Sequence, residues 1–379
     1  MDLRGTAPRS TSGSLAEAIV DLTAIRDNVR AFRQLRPGLS LMAVVKADGF
    51  GHGAVPVARA AIEAGATWLG VAHGTEALQL RSAGLTEPIL AWLDADPETM
   101  TRAGVDISVS SPIELAAAAA VPGVPSVHLK LDTGLHRAGS TIDQWTELTR
   151  AAVRHQSAGE LVVRAIWSQL SHGEDPSGVQ SHRQLQALLA GVAEARRIGL
   201  RPDLVHLTNS AGTAILDAPE LDLGRIGAGL YGIDEAGIGL RPAMRLVAKI
   251  AQVRRIRAGE GVSYGHDYVA PADTTIALIP VGYADGIPRC SYSRASVSHR
   301  GLRMPIAGRV AMDQFCIDMG DVPVQPGEEV VIFGPGTESE PTINDWAAWS
   351  DTIPHEIYCS LGPRIPRHHT TAPQPPTWW

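Results

Sequence analysis

Between residues 41 and 232 the chain repeats one pattern eight times: a short, almost uninterrupted apolar run, then an amphipathic stretch. The runs are LMAVVKAD, TWLGVAH, EPILAWL, VDISVSS, SVHLKLDT, VVRAIWSQL, LVHLTNS and LDLGRIGAGLYG. A strand with one wet face alternates apolar and polar residues, whereas a strand covered on both faces does not. The intervening segments carry helical spacing. From Val179 to Ile198, Leu185, Leu188, Leu189 and Val192 fall at i, i+3, i+4 and i+7. Eight buried parallel strands alternating with helices predict a (β/α)8 barrel; a single miscounted run would leave a doubly wound sheet. After Gly232 the helical pattern stops. RLVAKIAQVRRI, TTIALIPVGYA, QFCIDMG and EEVVIFG are β-rich and separated by Gly, Pro or Asp turns, as an all-β domain requires. The α/β fold expected is a barrel over residues 14–235 followed by a C-terminal all-β domain over 236–370, joined through GIDEAGIGLRP. Residues 1–13 and 371–379 read as flexible termini.

Charge and cysteine usage narrow the setting. The net charge is −7 and the pI about 6.0, which argues against nucleic acid or an anionic membrane as the main partner. No run approaches the roughly 18 apolar residues of a membrane span, and MDLRGTAPRSTSG lacks the apolar core of a signal peptide. Cys290, Cys316 and Cys359 are odd in number and widely spaced, which suits a reducing cytoplasm rather than a disulfide framework. No metal-ligand cluster is expected: His368 and His369 adjoin a Pro-rich tail, and His52 lies in a glycine-rich loop.

Barrel enzymes collect their chemistry at the C-terminal ends of the strands. Lys46 closes the first run, Lys130 and Asp132 the fifth, Gln169 the sixth, and Asn209 and Ser210 the seventh. Lys46 has two readings: a lysine snorkelling to the barrel rim, or a ligand-holding amine beside the close backbone approach that GFGHG allows. Asn209 and Ser210 in NSAGTA likewise read either as a helix cap or as part of a phosphate site.

AVVKADGFGHGA resembles the cofactor-lysine motif of alanine racemases, a family of barrel-plus-β-domain dimers that use pyridoxal 5′-phosphate (PLP). The similarity continues in the family's order through AEAIVDLTAIRDNVR, LGVAHGTEALQLRSAG, HLKLDTGLHRAG, HLTNSAG, LGRIGAGLYG, RPAMRLVAKI, GVSYGHDY, VGYADGIPR, GRVAMDQ and PRIPR. The resemblance implies a racemase interconverting L- and D-alanine. Lys46 would hold PLP and work one face of the substrate, and Tyr264, from the other subunit of a homodimer, would work the opposite face. A tyrosine titrates near ~10, so it needs cationic neighbours or a hydrogen-bond network to serve as a base. Arg225 would face the PLP ring nitrogen, with His206 hydrogen-bonded behind it. Arg137, Met312, Asp313 and Tyr283 would lie around the substrate, and Lys130, often carbamylated in the family, would pair with Arg137. Asn209, Ser210, Gly227 and Ala228 would surround the phosphate.

Four positions depart from the family pattern. Phe50 replaces a tyrosine that touches phosphate, and Gln169 replaces a histidine that packs on the PLP ring. Pro363 replaces a tyrosine that touches phosphate and narrows the entrance, and His136 replaces a small residue before Arg137. Each lost phosphate hydroxyl is worth on the order of 1 kcal/mol. These departures keep a second reading open, a paralogue acting on a larger amino acid or amine. A third is a non-catalytic PLP-binding barrel, which would have no need of Tyr264 or the β domain. An aldolase or dehydratase on a similar barrel would usually recruit a metal. A decarboxylase fits poorly with an arginine retained near the substrate carboxylate.

Overall fold

The computed structural model describes residues 14–371. Of the termini expected to be flexible, all but Thr371 lie outside the described residues. The chain forms two compact units. One runs from Asp21 to Ala243; the other joins residues 14–20 to residues 244–371. The first strand, β1 (Ala16–Asp21), accordingly pairs antiparallel with β10 (Met244–Lys249) in the second unit, where Ile19 packs on Val247 and Val331. The sequence places this segment with the barrel, because chain continuity is visible there and a pairing more than two hundred residues away is not.

All eight apolar runs become parallel strands of one sheet. They are β2 (Ser40–Val44), β3 (Trp68–Val71), β4 (Ile89–Ala91), β5 (Asp106–Val109), β6 (Ser126–Lys130), β7 (Val162–Trp167), β8 (Leu204–His206) and β9 (Leu223–Ile226). Neighbours in sequence are neighbours in space from β2 to β8, and β9 returns beside β2. Between β8 and β9 the barrel is drawn shut by Asp222 N–H on the Val205 carbonyl, 2.9 Å, and by Arg225 N–H on the Thr208 carbonyl, 3.4 Å. Met42, Val44, Trp68, Leu90 and Leu223 form a cluster to which Trp92 and Leu204 add. No helix residue belongs to it, so these strand side chains fill the barrel's interior.

The helices cover the outside. Val179–Ile198 is one 20-residue helix with Leu185, Leu188 and Val192 buried, as its spacing predicts, and Leu189 half-buried at the rim of that stripe. Its Gly191 carbonyl accepts from Trp145 Nε1 of helix Ile142–Ser157 at 2.9 Å, and a Cβ at Gly191 would lie 2.5 Å from Leu131. Glycine here permits close helix approach.

The second unit is mostly β. A six-stranded sheet has the order β16 (Leu302–Pro305), β15 (Ser296–His299), β18 (Glu329–Phe333), β10, β1, β19 (Arg367–Thr370). A three-stranded antiparallel sheet contains β11 (Gln252–Ile256), β14 (Thr274–Ile279) and β17 (Phe315–Gly320), and β12 (Gly261–Val262) pairs with β13 (Tyr268–Val269). Two short helices, Ile343–Trp349 and Pro354–Ser360, interrupt the β pattern. At seven residues each they span about two turns, too few for a 3.6-residue period to stand out in sequence. The first is fixed by the Thr342–Asp345 capping box and by Trp346 Nε1 on the Ile332 carbonyl, 2.6 Å.

Candidate active site

Lys46 follows β2 after a single residue, Val45, and opens a rare backbone segment. Ala47, Asp48, Gly49 and Phe50 all have φ between 49° and 62°, so the chain makes a left-handed helical turn. For a non-glycine residue that conformation costs roughly 1–2 kcal/mol each, and strain of this kind persists only where the surroundings enforce it. The enforcing contacts are specific. Glu76 accepts from Ala47 N–H at 2.6 Å and, through its other oxygen, from Ala72 and His73 N–H at 2.9 and 3.0 Å. Asp48 accepts from Ala54 N–H at 2.8 Å, and the buried His52 Nδ1 lies 2.9 Å from the Phe50 carbonyl. The Phe50 ring meets Tyr231 edge-on at 4.6 Å, and Tyr231 donates to the Val44 carbonyl. The turn thus fixes where the Lys46 side chain leaves the strand.

Positive charge dominates this end of the barrel. Arg225 is buried on β9 and donates from Nη1 to His206 Nδ1 at 2.9 Å. Its Nη2 donates to the Ser168 and Leu207 carbonyls and to Gln169 Oε1, at 3.0, 2.9 and 2.7 Å. All four acceptors are neutral. Burial, with no carboxylate to offset it, pushes the Arg225 pKa down to about 9. Lys130, at the end of β6, is pushed down to about 8 by burial and by Arg137 and Arg225, which the Asp132 carboxylate only partly opposes. Lys46 Nζ lies 5.9 Å from the Trp92 ring, and Lys130 Nζ and the Arg225 guanidinium lie 4.5 and 5.0 Å from Trp167. The two indoles, 6.5 Å apart, join these cations across one aromatic floor.

Arg137 is exposed on the loop after β6. Asp132 organises that loop by accepting from Gly134 and His136 N–H and by pairing with His136 Nδ1 at 3.0 Å. Burial raises the Asp132 pKa, but these bonds outweigh it and hold the carboxyl below its usual range. His136 has φ 55°, which explains why a small residue suits the position; here the side chain compensates through Asp132.

Ser210 Oγ accepts from Gly227 and Gly229 N–H at 2.9 and 3.0 Å. With both lone pairs engaged, its hydroxyl proton is what remains to offer a ligand. Asn209 caps helix Ser210–Ile215 through Oδ1 on Gly212 N–H, 2.9 Å. Ala228 is buried, and the Phe50 ring lies against Gly227, 3.6 Å from where a Cβ would stand.

The remaining expected residues form a second group in the β unit. Tyr264 stands in a short turn after β12 and is 71% exposed. It borders a hollow of about 360 Å³ with Ser263, Ala311, Gln314 and Cys316 among its walls. Tyr283 and Met312 are brought together by Tyr283 N–H on the Ala311 carbonyl, 3.0 Å, and Ala284 N–H on the Met312 carbonyl, 2.9 Å. Gly282 makes this possible, since a Cβ would lie 2.3 Å from the Met312 carbonyl oxygen. Asp313 pairs with Arg364 at 2.7 Å, beside Pro363, and Arg364 also holds the buried Asp285 at 2.9 Å.

A ligand suited to the barrel site must offer a carbonyl to a lysine amine, negative charge to three clustered cations, and phosphate-like oxygens to Ser210. PLP meets all three demands.

The sequence profile of the alanine racemase N-terminal domain matches residues 20–235, and that of the C-terminal domain matches 243–369. The chain belongs to the alanine racemase family. An alanine racemase of Thermobifida fusca is 44% identical, the match covering 95% of this chain and 99% of the relative. The crystal structure of alanine racemase from a D-cycloserine-producing Streptomyces lavendulae is 42% identical with a TM-score of 0.91, covering 95% of this chain and 98% of that one. The Bartonella henselae alanine racemase, solved with covalently bound pyridoxal phosphate, is 29% identical with a TM-score of 0.85, covering 94% of this chain and all of that one. Members of the alanine racemase family are PLP-dependent isomerases.

Several residues that shape the site escaped the sequence. Glu76 has a local signal, an acidic residue three positions after a helix start. His128 and Asp106 signal themselves only as polar residues inside otherwise apolar strands, and Trp92 and Trp167 look like ordinary core. Among the described residues no helix is long and apolar enough to cross a membrane.

His206 gives a pH signature. Burial, Arg225 and His128 hold its pKa well below the ordinary value. Below pH ~6.5 the unfolded imidazole takes up a proton that the folded one refuses. The unfolded chain then binds more protons, so stability falls as pH falls. Denaturant melts between pH 7 and 5 should show this loss with a slope of up to ~1.4 kcal/mol per pH unit from this group. His206→Gln should flatten the slope over that window; an identical slope would remove His206 as its source.

Proposed function

We propose that the chain interconverts L- and D-alanine with PLP held at Lys46, and that it does so in the cytoplasm as a homodimer whose partner supplies Tyr264 to each site. The observation that carries this reading is the excess of buried positive charge around Arg225 and Lys130, which a phosphate-bearing, electron-withdrawing cofactor relieves. When bound, that cofactor stabilises negative charge at the substrate α-carbon.

The protein's own groups divide the remaining work. Lys46 Nζ, aimed by the left-handed turn, takes or returns the α-proton on one face, and the Tyr264 hydroxyl serves the other. Arg225 remains a cation at neutral pH and donates hydrogen bonds without giving up a proton, which limits how much charge moves away from the α-carbon and disfavours side reactions. Arg137, Met312, Asp313 and Tyr283 orient the substrate carboxylate end, and Ser210 with its neighbours at 209, 227 and 228 holds the phosphate end. Lys130, with a pKa of about 8, has a substantial neutral fraction near neutral pH and is open to carbamylation, which would give Arg137 an anionic partner. The exposed Tyr264, Tyr283 and Met312 suit a surface completed by a second copy.

The purified protein should absorb in the visible, and Lys46→Ala should abolish the band. Borohydride reduction followed by mass spectrometry should find the cofactor on Lys46; another lysine would overturn the assignment. Tyr264→Phe should slow racemisation by at least a hundredfold while α-proton exchange in heavy water persists for one enantiomer. Racemisation at the original rate would place the second base elsewhere.

The departures at Phe50, Gln169 and Pro363 favour a second reading, a substrate with a side chain larger than methyl, because Pro363 has no phenol side chain to narrow an entrance. Comparison of kcat/KM for alanine with that for bulkier amino acids and amines decides between the two. Under the second reading Pro363→Tyr shifts the ratio toward alanine; a strong preference for alanine in the unmodified enzyme rules that reading out.

A further inference from the structure

Behind Arg225 the barrel buries three groups in series, His206, His128 and Asp106, and the series ends on the partly exposed Arg164. His206 Nε2 lies 3.0 Å from His128 Nδ1, and His128 Nε2 lies 3.1 Å from Asp106 Oδ2. Asp106 in turn pairs with Arg164 at 2.7 Å. Both imidazoles are fully buried and Asp106 is nearly so. His206 stacks on Trp167 with rings 5.3 Å apart, and the edge of His128 meets Trp68 at 5.5 Å.

The two ends of this series dictate its direction. A guanidinium has only donors, so His206 Nδ1 must present a lone pair to Arg225. A neutral imidazole then carries its proton on Nε2, which obliges His128 Nδ1 to accept. The His128 proton sits on Nε2 and goes to Asp106, a carboxylate that can only accept while ionised. The Arg164 guanidinium beside it likewise offers it only donors. Every hydrogen bond therefore points from Arg225 toward Asp106, and no alternative tautomer satisfies both ends.

We propose that Asp106 and His128 are positioning residues for Arg225: they lock His206 in the one tautomer that accepts from the guanidinium, and so hold Arg225 at the cofactor face. The proposal rests on Arg225 lying at that face, as the proposed function has it. Without the Asp106 anchor, His128 can carry its proton on Nδ1. His206 must then accept at Nε2 and turn an Nδ1–H toward Arg225, which sets donor against donor.

The test reads tautomers directly. In holoenzyme labelled with 15N-histidine, both rings should be neutral with the proton on Nε2. Asp106→Asn, whose amide oxygen can still face His128 and Arg164, should keep that pattern and hold kcat within a few fold. Asp106→Ala should mix the tautomers, shift the visible band of the bound cofactor and lower kcat for alanine about tenfold, the scale of one charge-assisted hydrogen bond, with little change in KM. A proton on His206 Nδ1 in the unmodified enzyme overturns the proposal, as does an Asp106→Ala enzyme with unaltered tautomers and kcat. If Asp106→Ala fails to fold, the unmodified tautomers alone decide. Correct tautomers in an enzyme inactive on alanine would support the relay and overturn the functional reading instead.

Discussion

A cation buried without a counter-charge is the constraint around which the open end of the barrel is arranged. Isolating a guanidinium from water is expensive unless every N–H finds an acceptor and some negative charge lies within reach. Arg225 meets the first condition with two backbone carbonyls, an imidazole nitrogen and the Gln169 amide oxygen. Within the barrel it does not meet the second, because no carboxylate offsets its burial and the neighbouring Lys130 is itself positive. The arrangement is electrostatically incomplete, and an anionic cofactor bound there, as proposed, would complete it. Binding affinity and fold stability would then be linked through the same residues.

The left-handed turn after Lys46 follows the same logic by another means. Three non-glycine residues are held in a conformation that L-amino acids avoid, by the distant Glu76 carboxylate and Tyr231 ring and by His52 of the same loop. Such a turn cannot relax without releasing Glu76 and Tyr231, so the point from which the Lys46 side chain departs is fixed. Phe50 fits this account. Its ring supports Tyr231 and Gly227, a packing role that a phenylalanine fills as well as a tyrosine. Gln169 is likewise reassigned rather than lost, since its oxygen caps Arg225. Pro363, beside the Arg364 that spans Asp285 and Asp313, is the departure for which no substitute contact is evident.

Much of the architecture was legible in the chain because it is written in local terms. Uninterrupted apolar runs mean strands covered on both faces, and a strand buried on both faces means a parallel sheet wrapped by helices. The 20-residue helix at Val179–Ile198 and the strand ends carrying Lys46, Lys130 and Ser210 followed from periodicity and from where barrels place chemistry. The short helices at Ile343–Trp349 and Pro354–Ser360 did not, because a seven-residue segment is fixed more by its caps and by one buried tryptophan than by its own pattern.

The sequence by itself determined the barrel and its β-rich companion and pointed to Lys46 and Arg225 as candidates, since each depends on residues close together in the chain or on motifs in a fixed order. Only the tertiary structure decided that β1 joins the β unit, that Glu76 clamps the Lys46 turn, and that Asp106 on β5, His128 on β6 and His206 on β8 stand in line behind Arg225. Those relations join residues that lie 22 to 78 positions apart in the relay and farther still in the β1 pairing. Their energy comes from burying polar groups that must find partners. Which partners they find is set by barrel closure, and no local pattern records it.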